Sequence, residues 1–531
     1  MPALNGNSIR ARTFRRCFAG IGLFFLVSWL FLAAQPYFEA IRSANETPRI
    51  AQGLALVDSS KWSIEDWPRR ALPLGPDIAR APSSGRIYPN KPPGTTIVAW
   101  PWLAAWRAVY GEDLTLAQAF FAFRWATALF PIVLGIAFAC YCVRREKYLC
   151  LSITSLVFAT PLASYSKLAY GHSLSALMLT AGVAAIVCGE GSPRPRSWIW
   201  TLIGALILGT CASIEYVTVL FVGPWLSFLG GRAIHRRAWA RLVAAVVGGS
   251  LGIFPLLLYH QEVYGSPWST GYHSMLARDL AEKHAQGWLG LIGPNADSIW
   301  HTFFNPACGL VFWLPWIFIA FRGWWLARGD EAGKEWRLAG CSIAITALVV
   351  VSSLDFQGGW RVGPRYLVSM MPLLGAGLYA FLHRERSASW RFFALLLLTF
   401  AAIQNVLAAG LWPHFDVAHI AWPVGEVLLP LLKNGYRPLG LAHDWPTWLW
   451  VLAIVVLPLG VLFALMGWAE RKRLGIAKAV AAMLCGALLH CALFLLVPPH
   501  ADAKRNLRYV VGVFEEQDQP SKPIGFLRDR K

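Results

Sequence analysis

Charge is scarce in this chain, and negative charge scarcest. Asp and Glu fill 29 of the 531 positions against 48 for Lys and Arg; charged residues together make up 15%, while 56% are hydrophobic. A soluble domain devotes about a quarter of its residues to charge, so an ordinary water-soluble fold is excluded. The mean hydropathy of +0.47 says the same. No nucleotide-binding glycine pattern and no internal repeat appear. Most of the ten cysteines fall in or beside apolar runs, without metal-type or disulfide-type spacing. A formal charge of +19 would point to nucleic acid in a soluble protein. Here the cations sit in short clusters between apolar runs, which is how a membrane protein sets its orientation. The composition therefore predicts an all-α polytopic membrane protein that does not bind nucleic acid.

The apolar runs follow one another at membrane-spanning length. The first, Cys17 to Ala34, follows Arg10, Arg12, Arg15 and Arg16 and exceeds a usual signal-peptide core, so a retained helix with a cytoplasmic N-terminus is expected. Later runs lie near 117–143, 148–164, 172–189, 197–213, 215–230, 240–260, 308–326, 338–354, 363–382, 391–411, 446–468 and 477–497. With the first they make about thirteen spans of roughly 20 residues. Charge tests this count: the clusters at 144–147, 194–196, 232–241, 322–337, 384–391 and 471–473 all share a side with the N-terminus. Residues 94–110 look apolar enough to be another span, but counting them would invert every later loop. Their tryptophans and Pro101 fit a helix lying at the membrane interface. The expected organisation is 1–35, cytoplasmic N-terminus and first span; 36–116, a long first outer loop with interfacial helices; 117–497, the membrane bundle; and 498–531, an outer polar tail.

Chemistry concentrates on the outer side. Glu46 is the acid nearest the outer end of the first span, with Asp58, Asp66 and Asp77 as competitors in the same loop. Lys91 lies in Tyr88-Pro89-Asn90-Lys91-Pro92-Pro93, where prolines on both sides restrict the backbone and hence the reach of the ammonium. Arg361 and Arg365 stand at the outer edge of a late span, against the charge bias that holds elsewhere. Either could grip a phosphate with its fork of donors, or could snorkel or pair with Asp355. Glu215, at a turn between two spans, either meets substrate or pairs with a cation such as Lys167. Tyr272 and His273 lie in a turn-rich outer run, and His172 also faces outward; a lone histidine in such a place is more often a hydrogen-bonding residue than a ligand.

These residues carry a resemblance. A single span, an outer loop opening on Asn45-Glu46-Thr47-Pro48-Arg49 and closing on Tyr88-Pro89-Asn90-Lys91-Pro92-Pro93, and a Gly363-Pro364-Arg365-Tyr366-Leu367 entry to a late span resemble the GT-C superfamily of membrane glycosyltransferases. The protein mannosyltransferases and the lipid A aminoarabinose transferases are the branches it is most similar to. Two departures stand out: Asn45 replaces an acid the family often has, and Pro48 adds a residue before Arg49. The resemblance implies an inverting glycosyltransferase that moves a sugar from a polyprenyl-phosphate donor to a lipid, glycan or protein acceptor, at the outer face of an inner membrane. It implies Glu46 as general base and Lys91, Arg361, Arg365 and Arg49 on the donor phosphate. Tyr88, Glu215, Tyr272 and His273 would line the substrate site. No cofactor is implied, and a divalent metal is left open. The competing classes are a transporter or flippase for lipid-linked sugars, an O-antigen ligase or polymerase, and a non-catalytic subunit.

Overall fold

The computed structural model describes residues 43–66, 74–132, 147–191, 194–287, 290–329, 333–438 and 442–517. The first predicted span with its arginines, the 144–146 cluster and the end of the tail lie outside them. Where they are described, the twelve later apolar runs are mostly helical. Six helices are long and apolar enough to cross a membrane: Tyr216–His235, Trp239–Tyr264, Arg365–Arg384, Ala388–Leu411, Thr447–Glu470 and Ile476–Leu496. Six shorter apolar helices accompany them, among them His172–Val187, Ser197–Cys211 and Leu338–Ser352.

Small residues let these helices approach closely, the device that replaces hydrophobic driving force in a membrane. Gly209, Gly248 and Gly252 seat helix Trp239–Tyr264 directly on the backbone of its neighbour Arg194–Cys211, where a Cβ would strike carbonyl oxygens. Gly323 and Gly377 do the same between Ile317–Leu326 and Met371–Arg384. The main core runs through these helices and includes Trp313, Trp316, Trp412 and Trp450.

Three of the basic loops, at 322, 384–391 and 471–473, meet in one cluster. Arg322 pairs with Glu385 at 2.6 Å, Arg391 is hydrogen-bonded to Glu470, and Arg473 donates to the carbonyls of Leu382, His383 and Glu385. Tyr148 lies beneath both Arg391 and Arg473. A separate cluster joins the first loop to the turns near 169 and 215 and to the 264–276 segment.

That separate cluster is built on the first loop. Helix Thr47–Ser59 starts at Pro48 and packs on helix Gly94–Tyr110 around Ile50, Leu54, Ala99 and Leu103. The second helix keeps Ile97, Trp100, Trp102 and Val109 exposed. Between them stands an antiparallel hairpin, Ile78–Arg80 with Ile87–Pro89, turned at Gly85, whose φ of +67° suits glycine. The polar tail contributes a helix, Ala503–Gln517. Its apolar face, Val510, Val513 and Phe514, joins the main core, and Phe514 rests on Trp412 and Tyr436.

Candidate functional site

The hairpin register creates the site. Ile78 is paired with Pro89, so the residues just beyond, Asp77 and Asn90, also face each other: the Asn90 amide donates to the Asp77 carbonyl at 3.1 Å, and its side chain to Asp77 Oδ1 at 3.3 Å. Lys91 follows, and its Nζ stands 3.5 Å from Asp77 Oδ1. A third segment joins the hairpin through an Ala79–Met275 bridge and a Leu276-to-Ile78 hydrogen bond. This sets Tyr272 over Lys91, with Nζ donating to the phenol oxygen at 2.8 Å and lying 4.7 Å from the ring centre. Lys91 and Asp77 stay partly open, with side chains 11% and 16% exposed.

Both groups are held charged. Burial pushes the Asp77 carboxyl up, but Lys91, then Arg365, the Asn90 hydrogen bond and Arg49 outweigh it and hold it below the usual carboxylate range. Burial pulls the Lys91 ammonium down, yet Asp77 and Tyr272 lift it above its ordinary value, against a smaller opposing push from Arg365.

The second wall is the loop before helix Met371–Arg384. Gly358, Gly359 and Gly363 have φ of +61°, +64° and +56°, so the chain folds back on itself there. This turns Arg361 and Arg365 inward to 2% and 8% exposure. Arg365 donates to His172 Nε2 at 3.2 Å and to the Gly358 carbonyl at 2.7 Å, and covers the Tyr170 ring at 4.7 Å. Arg361 donates to the Phe356 carbonyl and to Cys308 Sγ, and its Nε finds no acceptor. Neither arginine has a carboxylate within ion-pair distance among the described residues. Asp355, a possible partner by sequence, instead accepts from the Tyr366 hydroxyl at 3.4 Å.

The other acids are already engaged. Glu46 is fully buried: Arg124 grips it with two bonds of 2.9 Å, and the Ala169 amide donates to it at 2.6 Å. Both its oxygens are taken, so in this arrangement it anchors Arg124 and the 169 turn. Glu215 pairs with Arg49 at 3.0 Å rather than with Lys167. Arg49 also holds the Ala169 carbonyl and is 1% exposed, so it faces its partners and not a cavity. Asp58 pairs with Arg107 and Asp66 with Lys61.

Of the sequence candidates, Lys91, Tyr272, Arg365, Arg49 and Glu215 therefore come together, with Glu46 one layer behind them beside Tyr170. Arg361 lines the far wall. Tyr88 and His273 stand apart: Tyr88 packs with Val263 and Tyr264, and exposed His273 closes its own turn by bonding Thr270. Sequence reasoning did not find Arg124, Tyr170 or the partnership of Asn90 with Asp77. No signal in the sequence marked Arg124, which lies within an apolar run. Among the described residues no group of three or more His, Cys, Asp or Glu is placed to hold a metal ion.

No family model matches the sequence, and no curated protein does. Among solved structures, the chain is similar to the crystal structure of ArnT from Cupriavidus metallidurans bound to undecaprenyl phosphate, with 16% identity and a TM-score of 0.49 over 92% of this chain and 77% of that one.

Proposed function

We propose that the chain is an inverting glycosyltransferase whose site, at the outer face of the membrane, takes a sugar from a polyprenyl-phosphate donor. One observation carries this reading: two buried guanidiniums, Arg361 and Arg365, make no ion pair with a carboxylate among the described residues, and Arg365 acts on a partly open Lys91–Asp77 pair. A buried cation without a counter-ion is costly. A phosphate monoester or diester supplies the missing charge and suits the arginine fork.

The roles follow from placement. Lys91, Arg365 and Arg361 meet the negative charge that grows on the departing phosphate. Asp77, among the described residues the one loop carboxylate that is both partly open and beside Lys91 and Arg365, replaces Glu46 as the proton acceptor. The acceptor oxygen forms a bond to the anomeric carbon, the bond from that carbon to the phosphate oxygen breaks, and the acceptor proton passes to Asp77. The phosphate leaves as the lipid-linked anion. Asp77 is released for this work when the donor phosphate draws Lys91 away from it. Glu46 becomes a positioning residue, holding Arg124 and the 169 turn beneath Tyr170. The exposed tryptophans of helix Gly94–Tyr110 lie against lipid and flank the entry for the donor tail.

The experiment compares lipid and glycan fractions by mass spectrometry in cells carrying the intact chain, Asp77→Asn or Arg365→Met. A glycosylated product present only with the intact chain supports the reading. Products indistinguishable in all three would sink it, and a flippase predicts that Asp77→Asn changes nothing.

A further inference from the structure

A second cavity lies beyond Arg361, between the loop before helix Met371–Arg384, the 414–419 segment and the C-terminal helix. Its volume is about 210 Å³, several times the roughly 30 Å³ share of one water. Arg361 and Phe415 form a local antiparallel bridge, which sets Trp360 opposite Asp416. Side chains alternate across such a bridge, so Arg361 points into the phosphate site while Trp360 points into this cavity. Helix Ala503–Gln517 closes the cavity with Arg505, Asn506 and Tyr509, and Asp502 just before it joins them.

The lining has a definite chemistry. Trp360 and Tyr509 meet edge to face at 5.2 Å and offer aromatic surface in a polar setting. Around them stand two carboxylates, one guanidinium and His419, whose Nδ1 bonds Asp416 Oδ2 at 2.9 Å. Asn506 is 7% exposed, and its Oδ1 has no donor. An apolar ligand would strip water from the partly exposed Asp416 and Asp502 carboxylates, of which His419 holds only Asp416 Oδ2. A small anion would meet the carboxylates. A pyranose ring satisfies both halves, its C–H face on the aromatic rings and its hydroxyls donating to Asp416, Asp502 and Asn506.

We propose that this cavity binds a pyranose of the acceptor, so that the donor phosphate and the acceptor sugar lie on opposite sides of the Arg361 strand; this rests on the glycosyl-transfer reading above. A chain of rings joins the two places: Trp360 touches His414 at 5.0 Å, His414 meets Tyr170 at 6.3 Å, and Tyr170 carries Arg365. The acceptor glycan is then gripped by the C-terminal helix while a neighbouring hydroxyl reaches the Asp77 side.

Saturation-transfer NMR with the purified full-length protein tests this, using methyl glucopyranoside, mannopyranoside and galactopyranoside as probes, with polyprenyl-phosphate binding measured in parallel. The expected result is saturation of at least one pyranoside that weakens about tenfold or more in Tyr509→Ala and in Asp416→Asn, while lipid-phosphate affinity and melting temperature hold. No saturation of any probe overturns the inference, as does saturation that persists in both variants. Pyranoside binding lost in these variants, in a protein that does not bind polyprenyl phosphate, upholds the cavity and removes the donor reading instead.

Discussion

The two ends of the bundle contain similar residues in opposite states of completion. At the end where the basic loops gather, Arg391 and Glu470 are both fully buried and bonded to each other, and Arg391 also fills the carbonyls of Leu382 and Glu385. The buried arginine there has its carboxylate, and the Arg322–Glu385 pair stands beside it. At the other end, Glu46 and Glu215 supply carboxylates to Arg124 and Arg49. The next shell is left incomplete: Arg361 and Arg365 are as buried as Arg391 but meet only neutral acceptors. Buried charge is thus not in itself the mark of a site. The mark is buried charge whose balance the protein leaves open.

Substitutions that unbalance a complete pair should cost the most stability. Glu46→Gln removes the carboxylate that Arg124 grips with two hydrogen bonds and is expected to lower stability by about 3–5 kcal/mol, read from denaturation in detergent. Arg391→Met strands Glu470 and should cost a similar amount while leaving polyprenyl-phosphate affinity unchanged in whatever folds. A Glu46→Gln protein of normal stability but no turnover would return the proton-acceptor role to Glu46 and break the distinction between the shells.

Asp77→Asn is expected to act the other way. It should reduce turnover about 10²–10⁴-fold with little loss of stability, because Lys91 stays partly exposed and Tyr272 still accepts its hydrogen bond. The pH profile sharpens the point. Asp77 is held below its ordinary value of 3.8, so its ionised form, and the stability it contributes, persist above that range and are lost only as the pH falls through the lowered value. The acid limb of kcat/KM should lie below 3.8. In Lys91→Met, which removes the largest of the lowering influences, the limb should move upward. Tyr272→Phe is the mildest change, deleting one hydrogen bond to Lys91, and should weaken donor binding about fivefold.

How legible this was in the sequence varies from shell to shell. The bundle was open to inspection because apolar runs and basic clusters alternate in phase, and the later runs are mostly helical where they are described. Lys91 and Arg365 stood out because prolines and a reversed charge bias marked them. Asp77 did not, since its place depends on the register of a hairpin only three residues long on each side. The turn at Ser83-Ser84-Gly85 between Ile78-Ala79-Arg80 and Arg86-Ile87-Tyr88 was the signal available. Glu46 was conspicuous for its position after the first apolar run, yet its burial depends on Arg124, which is 78 residues away and inside an apolar stretch. The helix within the polar tail was missed because its apolar stripe is narrow. Tyr509, Val510, Val513 and Phe514 repeat at helical spacing among charged neighbours.

The account turns on Arg361 and Arg365 as charges kept for a phosphate. The direct measurement is polyprenyl-phosphate affinity and melting temperature for the intact protein, Arg365→Met, and the double variant Arg361→Met with Arg365→Met. Affinity should fall about 10²-fold or more while the melting temperature holds or rises, because methionine removes a buried cation that lacks a carboxylate. Unchanged affinity, with a melting temperature that collapses as in Arg391→Met, would show that these arginines only brace the fold.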